Sequence, residues 1–280
     1  MRTIKFSPRA VAFLDILGFK ELVLDADARA TGLKRLSRLI QKLRSNTPLN
    51  RVVNPGVPRD LHPRSLEISD SIILSTPLTH PDHTNYWGLA ILVMRCAQIA
   101  AILLEEGYLL TGAINMGSVQ HTGRNVIGKA YQEAYANQSA VSSPAIILCP
   151  DAAVAWQKSM YRIGQSTLCL RRSVVFKRKD AEGKPTRENR EVEIVNVFEP
   201  TYMNSVRAIS TRGPAPLMDD AWLSACIDRI ESTIAHNLAR FGPGTPTRDD
   251  AVLDKWTWLQ KLFRDQGRGG IEEQLSMPRI

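Results

Sequence analysis

Two aspartates stand where carboxylates are costly. Asp15 interrupts the apolar run at residues 11–20 (VAFLDILGFK), and Asp70 sits in residues 65–75 (SLEISDSIILS), among aliphatic side chains. An ionised carboxylate surrounded by hydrocarbon costs several kcal/mol unless something offsets it. The simplest partner is a hard cation, for which carboxylate oxygens are the preferred ligands. Gly18, just after Asp15, lets the backbone turn sharply, and successive N–H groups in such a turn can cradle phosphate oxygens. Acid, turn and amides together suit a metal-triphosphate site. A core strand ending in an N-cap aspartate would use the same residues with no chemistry at all.

The elements around these acids follow from periodicity. The run at 11–20 reads as a strand buried on both faces. Residues 21–44 read as helix from Leu22, Leu33, Leu36, Leu39, Ile40 and Leu43, with a break over 25–31 before Gly32 that allows two helices. Residues 65–75 form either one strand with Asp70 on its aliphatic face, or two short strands with Ser69-Asp70 at a tight turn. A helix is expected over 85–106. The strand at 108–117 follows, with Gly112 and Gly117 allowing close backbone approach. A hairpin tip at 120–124, a helix at 129–139, a strand at 144–149 and a short helix at 151–158 complete the first half. Strands at 171–177 and 192–197 are joined by a polar hairpin at 179–190. Beyond Pro200 the composition turns helical, over 218–240 and 249–263, around a proline and glycine turn at 242–246. This order gives an α+β sheet with mixed strand directions. It divides into a first domain, 1–200, that carries both aspartates, and a helical extension, 201–280, laid on the core or on a second subunit.

Composition excludes several classes. Of 280 residues, 44% are hydrophobic and 23% charged, ordinary for a globular chain and unlike a disordered one. The net charge of +8 suits an anionic partner, but apart from Lys177-Arg178-Lys179 it is dispersed, and no nucleic-acid-binding signature is present. The four cysteines form no CxxC pair and no signal peptide precedes the first strand, so reduced thiols in a cytoplasmic protein are expected. Residues 88–104 are long and apolar but carry Arg95 and Gln98, as a buried helix and not a membrane span would. His80 and His83 lack further metal-ligand partners and read as a solvated loop.

Three blocks in order, AFLDILGFK at 12–20, ISDSIILS at 68–75 and TGAINMG at 111–117, are followed by Gly128-Lys129-Ala130 and Glu133-Ala134-Tyr135. Over residues 5–155 this series resembles the class III nucleotidyl cyclases, most of all the pyrimidine cyclases of bacterial Pycsar anti-phage systems. The resemblance implies a ferredoxin-like βαββαβ core and a head-to-tail homodimer with its clefts between subunits. It implies that Asp15, Asp70 and the carbonyl of Ile16 hold two Mn²⁺ or Mg²⁺ ions, and that Leu17, Gly18, Phe19 and Lys20 contact the triphosphate. The implied reaction converts UTP, or in second place CTP, to a 3′,5′-cyclic monophosphate and pyrophosphate, and the product signals to a separate effector. No nucleic-acid or membrane partner is implied. The alternatives are a purine cyclase, a catalytically silent nucleotide-binding domain of the same fold, and a basic nucleic-acid-binding module.

The departures from the family pattern are specific. Purine cyclases usually carry Asn and Arg on the helix after the third block, where this chain has Gln132 and Ala136, and Thr111 replaces a usual Arg. Gln132 can still meet a ribose. A transition-state cation must come from elsewhere, with Lys129, Arg124, Arg171, Arg172 and Lys177 as candidates. Asn125 stands at the base-reading position, where an amide can both donate to and accept from uracil or cytosine. Arg51, Arg59 and Arg64 are alternative readers.

Overall fold

The computed structural model describes residues 4–46, 61–84, 86–159, 168–199, 203 and 220–268. Its centre is β1 (Ser7–Ile16), the apolar run, with Ala10, Val11, Ala12 and Leu14 fully inaccessible. Burial on both faces follows from its place in the sheet, between β3 (Ser71–Pro77) and β4 (Leu110–His121), antiparallel to both. β2 (Arg64–Ile68) pairs outside β3, and Ser69, at φ 58°, turns the chain between them. The two-strand reading of residues 65–75 therefore holds, with Asp70 at the tip.

Two helices, α1 (Phe19–Ala28) and α2 (Ala30–Asn46), connect β1 to β2, breaking at the extended Arg29 within the expected interval. Leu22, Leu39 and Leu43 of the expected stripe are buried, but Leu33 and Ile40 are exposed. The break rotates α2 and takes them off the core face. α3 (Gly88–Glu105) joins β3 to β4, starting later than expected, after Trp87. Long and apolar enough by length and composition to cross a membrane, α3 instead lies buried between the sheet and its neighbours.

These pieces are a βαββαβ unit with antiparallel strand order β2-β3-β1-β4, the ferredoxin-like arrangement. The sheet continues from β4 through β6 (Ile146–Leu148), parallel to it, to β8 (Pro185–Val195) and β7 (Cys169–Lys179). β5 (Val126–Ile127) pairs with the end of β4. The polar stretch 179–190 is mostly strand: β7 and β8 pair from Cys169↔Val195 to Lys179↔Pro185, leaving a short loop closed by Asp180, whose carboxylate accepts from the Glu182 and Lys184 amides at 3.1 and 2.8 Å. Ladder bonds satisfy this backbone even where both faces are polar, so hydrophobic alternation does not report it.

Each face of the sheet has its own cover. One face packs Ala12, Leu14, Ile16, Leu74 and Ile114 against α1, α2, α3 and α5 (Pro150–Lys158), where Trp156 stacks on Trp87 at 5.3 Å. The other face carries Val11, Phe13 and Ile73 beneath α4 (Lys129–Ala140), with Tyr135 edge-on to Phe13. Farther along that face, Ala113, Ile147, Val174 and Ile194 share a core with α6 (Asp220–Phe241) and α7 (Asp250–Phe263). The C-terminal helices thus lie on the chain's own sheet. Gly112 is required where β1 and β4 meet, because a Cβ there would stand 2.6 Å from Leu14 Cδ2.

Candidate active site

β1 carries Asp15 on the same face as Val11 and Phe13, at the end of the strand, and the register sets it opposite Ser71 on one side and Thr111 on the other. The β2–β3 turn brings Asp70 to the same point: the Ile16 amide donates to the Asp70 carbonyl at 3.2 Å. Ser71 Oγ donates to Asp15 Oδ1 at 3.3 Å. Both aspartates are half-buried, so the two expected site acids are brought together beside Ile16.

The electrostatics of the pair are unfavourable without a counter-charge. Burial, and then the neighbouring Asp70 carboxylate, raise the Asp15 pKa to about 6, while the Ser71 hydroxyl and Lys177 oppose the rise. A carboxylate whose ionisation is opposed by burial and by a second carboxylate, at the open end of a strand, is a fitting donor for a divalent cation, which would offset that penalty. Among the described residues no cluster of three or more His, Cys, Asp or Glu side chains could hold a metal. Further donors to a cation there would have to come from the Ile16 carbonyl, solvent or substrate.

Next to the acids the chain turns through Gly18, whose φ of 80° suits a residue without Cβ. A Cβ at Gly18 would meet nothing within 4 Å, so the turn borders open space. α1 starts immediately after, and the N–H groups of its first turn have no acceptor within the helix. Leu17, whose own amide is tied to Leu109 O at 2.9 Å, precedes this turn, and Phe19 and Lys20 follow it. The turn, the helix-start amides that follow it and the two acids thus lie together, while the Leu17 amide is already bonded.

The expected base and ribose residues do not join them within one chain. Asn125 is in the exposed turn between β4 and β5, its amide bonded to Thr122 Oγ1 at 3.0 Å. It lies past the end of β4 that pairs with Ser7, whereas Asp15 pairs with Thr111 at the other end. Gln132 and Ala136 are exposed on α4, and Lys129 forms a solvent-facing pair with Glu133 at 3.5 Å. Thr111, in the usual Arg position, is buried beside Asp15 and bonds Ala145 O at 3.5 Å. Of the candidate cations, Lys177 acts on Asp15, whereas Arg124 is in the far turn. Arg51 and Arg59 lie outside the described residues. Arg64 donates to His121 O at 2.7 Å, beside buried Arg9, whose Nε donates to Ser75 Oγ at 2.9 Å. This second polar cluster, on the same sheet face but at its opposite end, escaped sequence reasoning because only strand register assembles it.

The raised Asp15 pKa has a measurable consequence. The native pKa of about 6 exceeds the ordinary 3.8, so between those values the folded chain holds a proton that the unfolded chain releases. Metal-free stability should therefore rise as pH falls from about 6 toward 4. A divalent cation ligated by Asp15 would have to displace that proton, so the Mn²⁺ affinity expected of such a site, measured by calorimetry, is roughly tenfold weaker at pH 5 than at pH 7.5. Equal affinities would exclude Asp15 as a ligand.

The chain matches no protein-family profile and no curated protein sequence. It is similar to several solved structures. A class III adenylyl cyclase-like ATP-binding protein from Pseudomonas aeruginosa shares 20% identity over 54% of this chain, with a TM-score of 0.37, and this chain spans only 35% of it. The catalytic core of a rhodopsin-guanylyl cyclase with converted specificity, in complex with ATPαS, shares 14% identity over 68% of this chain and 95% of that one, with a TM-score of 0.37. An adenylate/guanylate cyclase/hydrolase from Silicibacter pomeroyi shares 14% identity over 69% and 98%, with a TM-score of 0.40.

Proposed function

We propose that the protein is a nucleotidyl cyclase that converts UTP to cyclic UMP and pyrophosphate, making a second messenger for anti-phage defence. The observation that carries the cyclase reading is the meeting of Asp15 and Asp70 beside the open Gly18 turn, at one end of a βαββαβ sheet. Asp15, Asp70 and the Ile16 carbonyl would hold two Mn²⁺ or Mg²⁺ ions, which would lower the pKa of the substrate 3′-hydroxyl and neutralise charge on the α-phosphate. The chain's own part is positioning: the amides of residues 18–20 and the Lys20 side chain orient the triphosphate for in-line displacement of pyrophosphate, while the Leu17 amide, bonded to Leu109 O, holds the turn in place.

Asn125, Lys129 and Gln132 would serve a site only in a second copy of the chain, since they lie away from Asp15 in their own. Exposed Tyr135, Ile127 and Ile68 give the surface near α4 an apolar character suited to a homodimer with shared clefts. The pyrimidine preference is supported by the resemblance of the three sequence blocks and by Gln132 and Ala136 at the purine-cyclase positions; CTP is the second candidate.

The test is incubation of purified protein with ATP, GTP, CTP or UTP and Mn²⁺, with products identified by mass spectrometry. Cyclic UMP from UTP is the expected result. A cyclic purine would move the protein to the adenylyl or guanylyl branch. No product from any nucleotide, together with calorimetric nucleotide binding, would favour the silent-domain reading, against which the retention of Asp15 and Asp70 speaks.

A further inference from the structure

The C-terminal helices do more than cover the sheet. A cavity of about 760 Å³ separates α1 and α2 from the turn between α6 and α7, and its walls include Gly18 and Glu21 on one side and Arg240 and Lys255 on the other. Its size is in the range of small-molecule sites. It opens directly onto the turn assigned to the triphosphate, so a ligand bridging its walls would touch both the cyclase core and the C-terminal extension.

We propose that Lys255 is a phosphate-binding residue of the nucleotide site, supplied by α7 and taking the terminal phosphate of a triphosphate whose inner end lies at Asp15 and Asp70. This rests on the nucleotidyl cyclase reading above. α7 is fixed against the β7–β8 ribbon at two points, where Trp258 Nε1 donates to Ser173 O at 3.0 Å and Arg187 pairs with Asp254 at 3.1 Å, and Trp256 anchors it in the core. The same ribbon carries Lys177, which attracts Asp15. Lys255 is thereby held between the ribbon and the Gly18 turn, half-buried and in the electrostatic range of both Lys177 and Glu21.

The neighbours of Lys255 leave its charge without a direct partner. Asp249 Oδ1 is occupied by the first amides of α7, accepting from Ala251 and Val252 at 3.0 Å each. Asp25, across the cavity, pairs with Arg29 at 3.8 Å. Lys255 itself has no ion pair or hydrogen bond to a described residue. Burial lowers its pKa first and Lys177 lowers it further, against weaker support from Asp249 and Glu21. A half-buried ammonium beside a like charge is costly. An anionic oxygen entering from the cavity would relieve that cost, and terminal phosphate is the anion a triphosphate substrate brings to this turn.

Inorganic tripolyphosphate with Mn²⁺ is the direct probe, titrated calorimetrically into the full-length protein and its variants. Lys255→Ala should weaken binding about tenfold, the loss of one charge-assisted hydrogen bond. Lys255→Arg should recover most of it, and Lys261→Ala, at an exposed position on the same helix, should leave it unchanged. In turnover Lys255→Ala should raise KM for the nucleotide by a similar factor and change kcat less. Tripolyphosphate binding by Lys255→Ala equal to that of the wild type would overturn the assignment, as would a wild type that binds none. A wild type that cyclises no nucleotide, yet loses tripolyphosphate affinity in Lys255→Ala, would refute the cyclase reading and leave the phosphate site standing.

Discussion

Asp15→Asn is expected to abolish cyclisation while making the metal-free protein more stable. The carboxylate is held at a point where burial, first, and the Asp70 charge, second, oppose its ionisation. At pH 7.5 it is nonetheless charged, and the fold bears that cost. Asparagine has nearly the same shape, and its amide oxygen can still accept from Ser71 Oγ. Removing the charge should raise the midpoint of thermal unfolding in EDTA by roughly 2–4 °C, the shift expected of about 1 kcal/mol in a domain of this size. A neutral amide binds a hard cation poorly, and loss of several kcal/mol of charge stabilisation should reduce turnover by about 10³-fold or more. Asp70→Asn should give the same catalytic loss and return the Asp15 pKa part of the way to its ordinary value. Higher stability together with lost activity separates a functional acid from a structural one, because a structural acid would lower both. Wild-type turnover in Asp15→Asn would end the two-carboxylate assignment.

How far these residues could be read from sequence depended on whether their environment is local. The Asp15 strand and the Gly18 turn declare themselves because both faces of β1 are buried, and one carboxylate in a fully apolar run is conspicuous without any knowledge of neighbours. The hairpin at Asp70 left two readings, since alternation over residues 66–74 fits one strand as well as two. The left-handed Ser69 decides it. The β7–β8 ribbon extends well past the strands expected at 171–177 and 192–197 because Glu188, Arg190 and Glu191 face solvent or pair among themselves, as in the Arg190–Glu188 contact at 2.8 Å, and polar strands have no hydrophobic signature. Distances across the sheet were illegible altogether. That Asn125 lies at the opposite end from Asp15, that Lys177 acts on Asp15 and that Lys255 comes within electrostatic range of Lys177 follow from strand register and from the docking of α7, which no local pattern encodes.

Ending the chain at residue 200 should not leave a folded catalytic domain, even though composition changes there. Leu223, Ile227, Ile230 and Ile234 of α6, and Trp256, Leu259, Leu262 and Phe263 of α7, are each at most 5% exposed. They meet Ala113, Ile147, Val174 and Ile194 of the sheet in one continuous core. At about 2 kcal/mol per large apolar side chain, losing all eight removes more than the roughly 5–15 kcal/mol of net stability typical of a domain. It also uncovers an apolar sheet face beside β6 and the β7–β8 ribbon, a surface that promotes association. The truncated chain is therefore expected to be insoluble or to lack a cooperative thermal transition by circular dichroism. A truncated protein that unfolds cooperatively near the wild-type temperature would make the extension a separate domain. In that event the helices could still supply Lys255, but as a movable wall and not as part of the core that holds β4 and, through its register with β1, Asp15 in place.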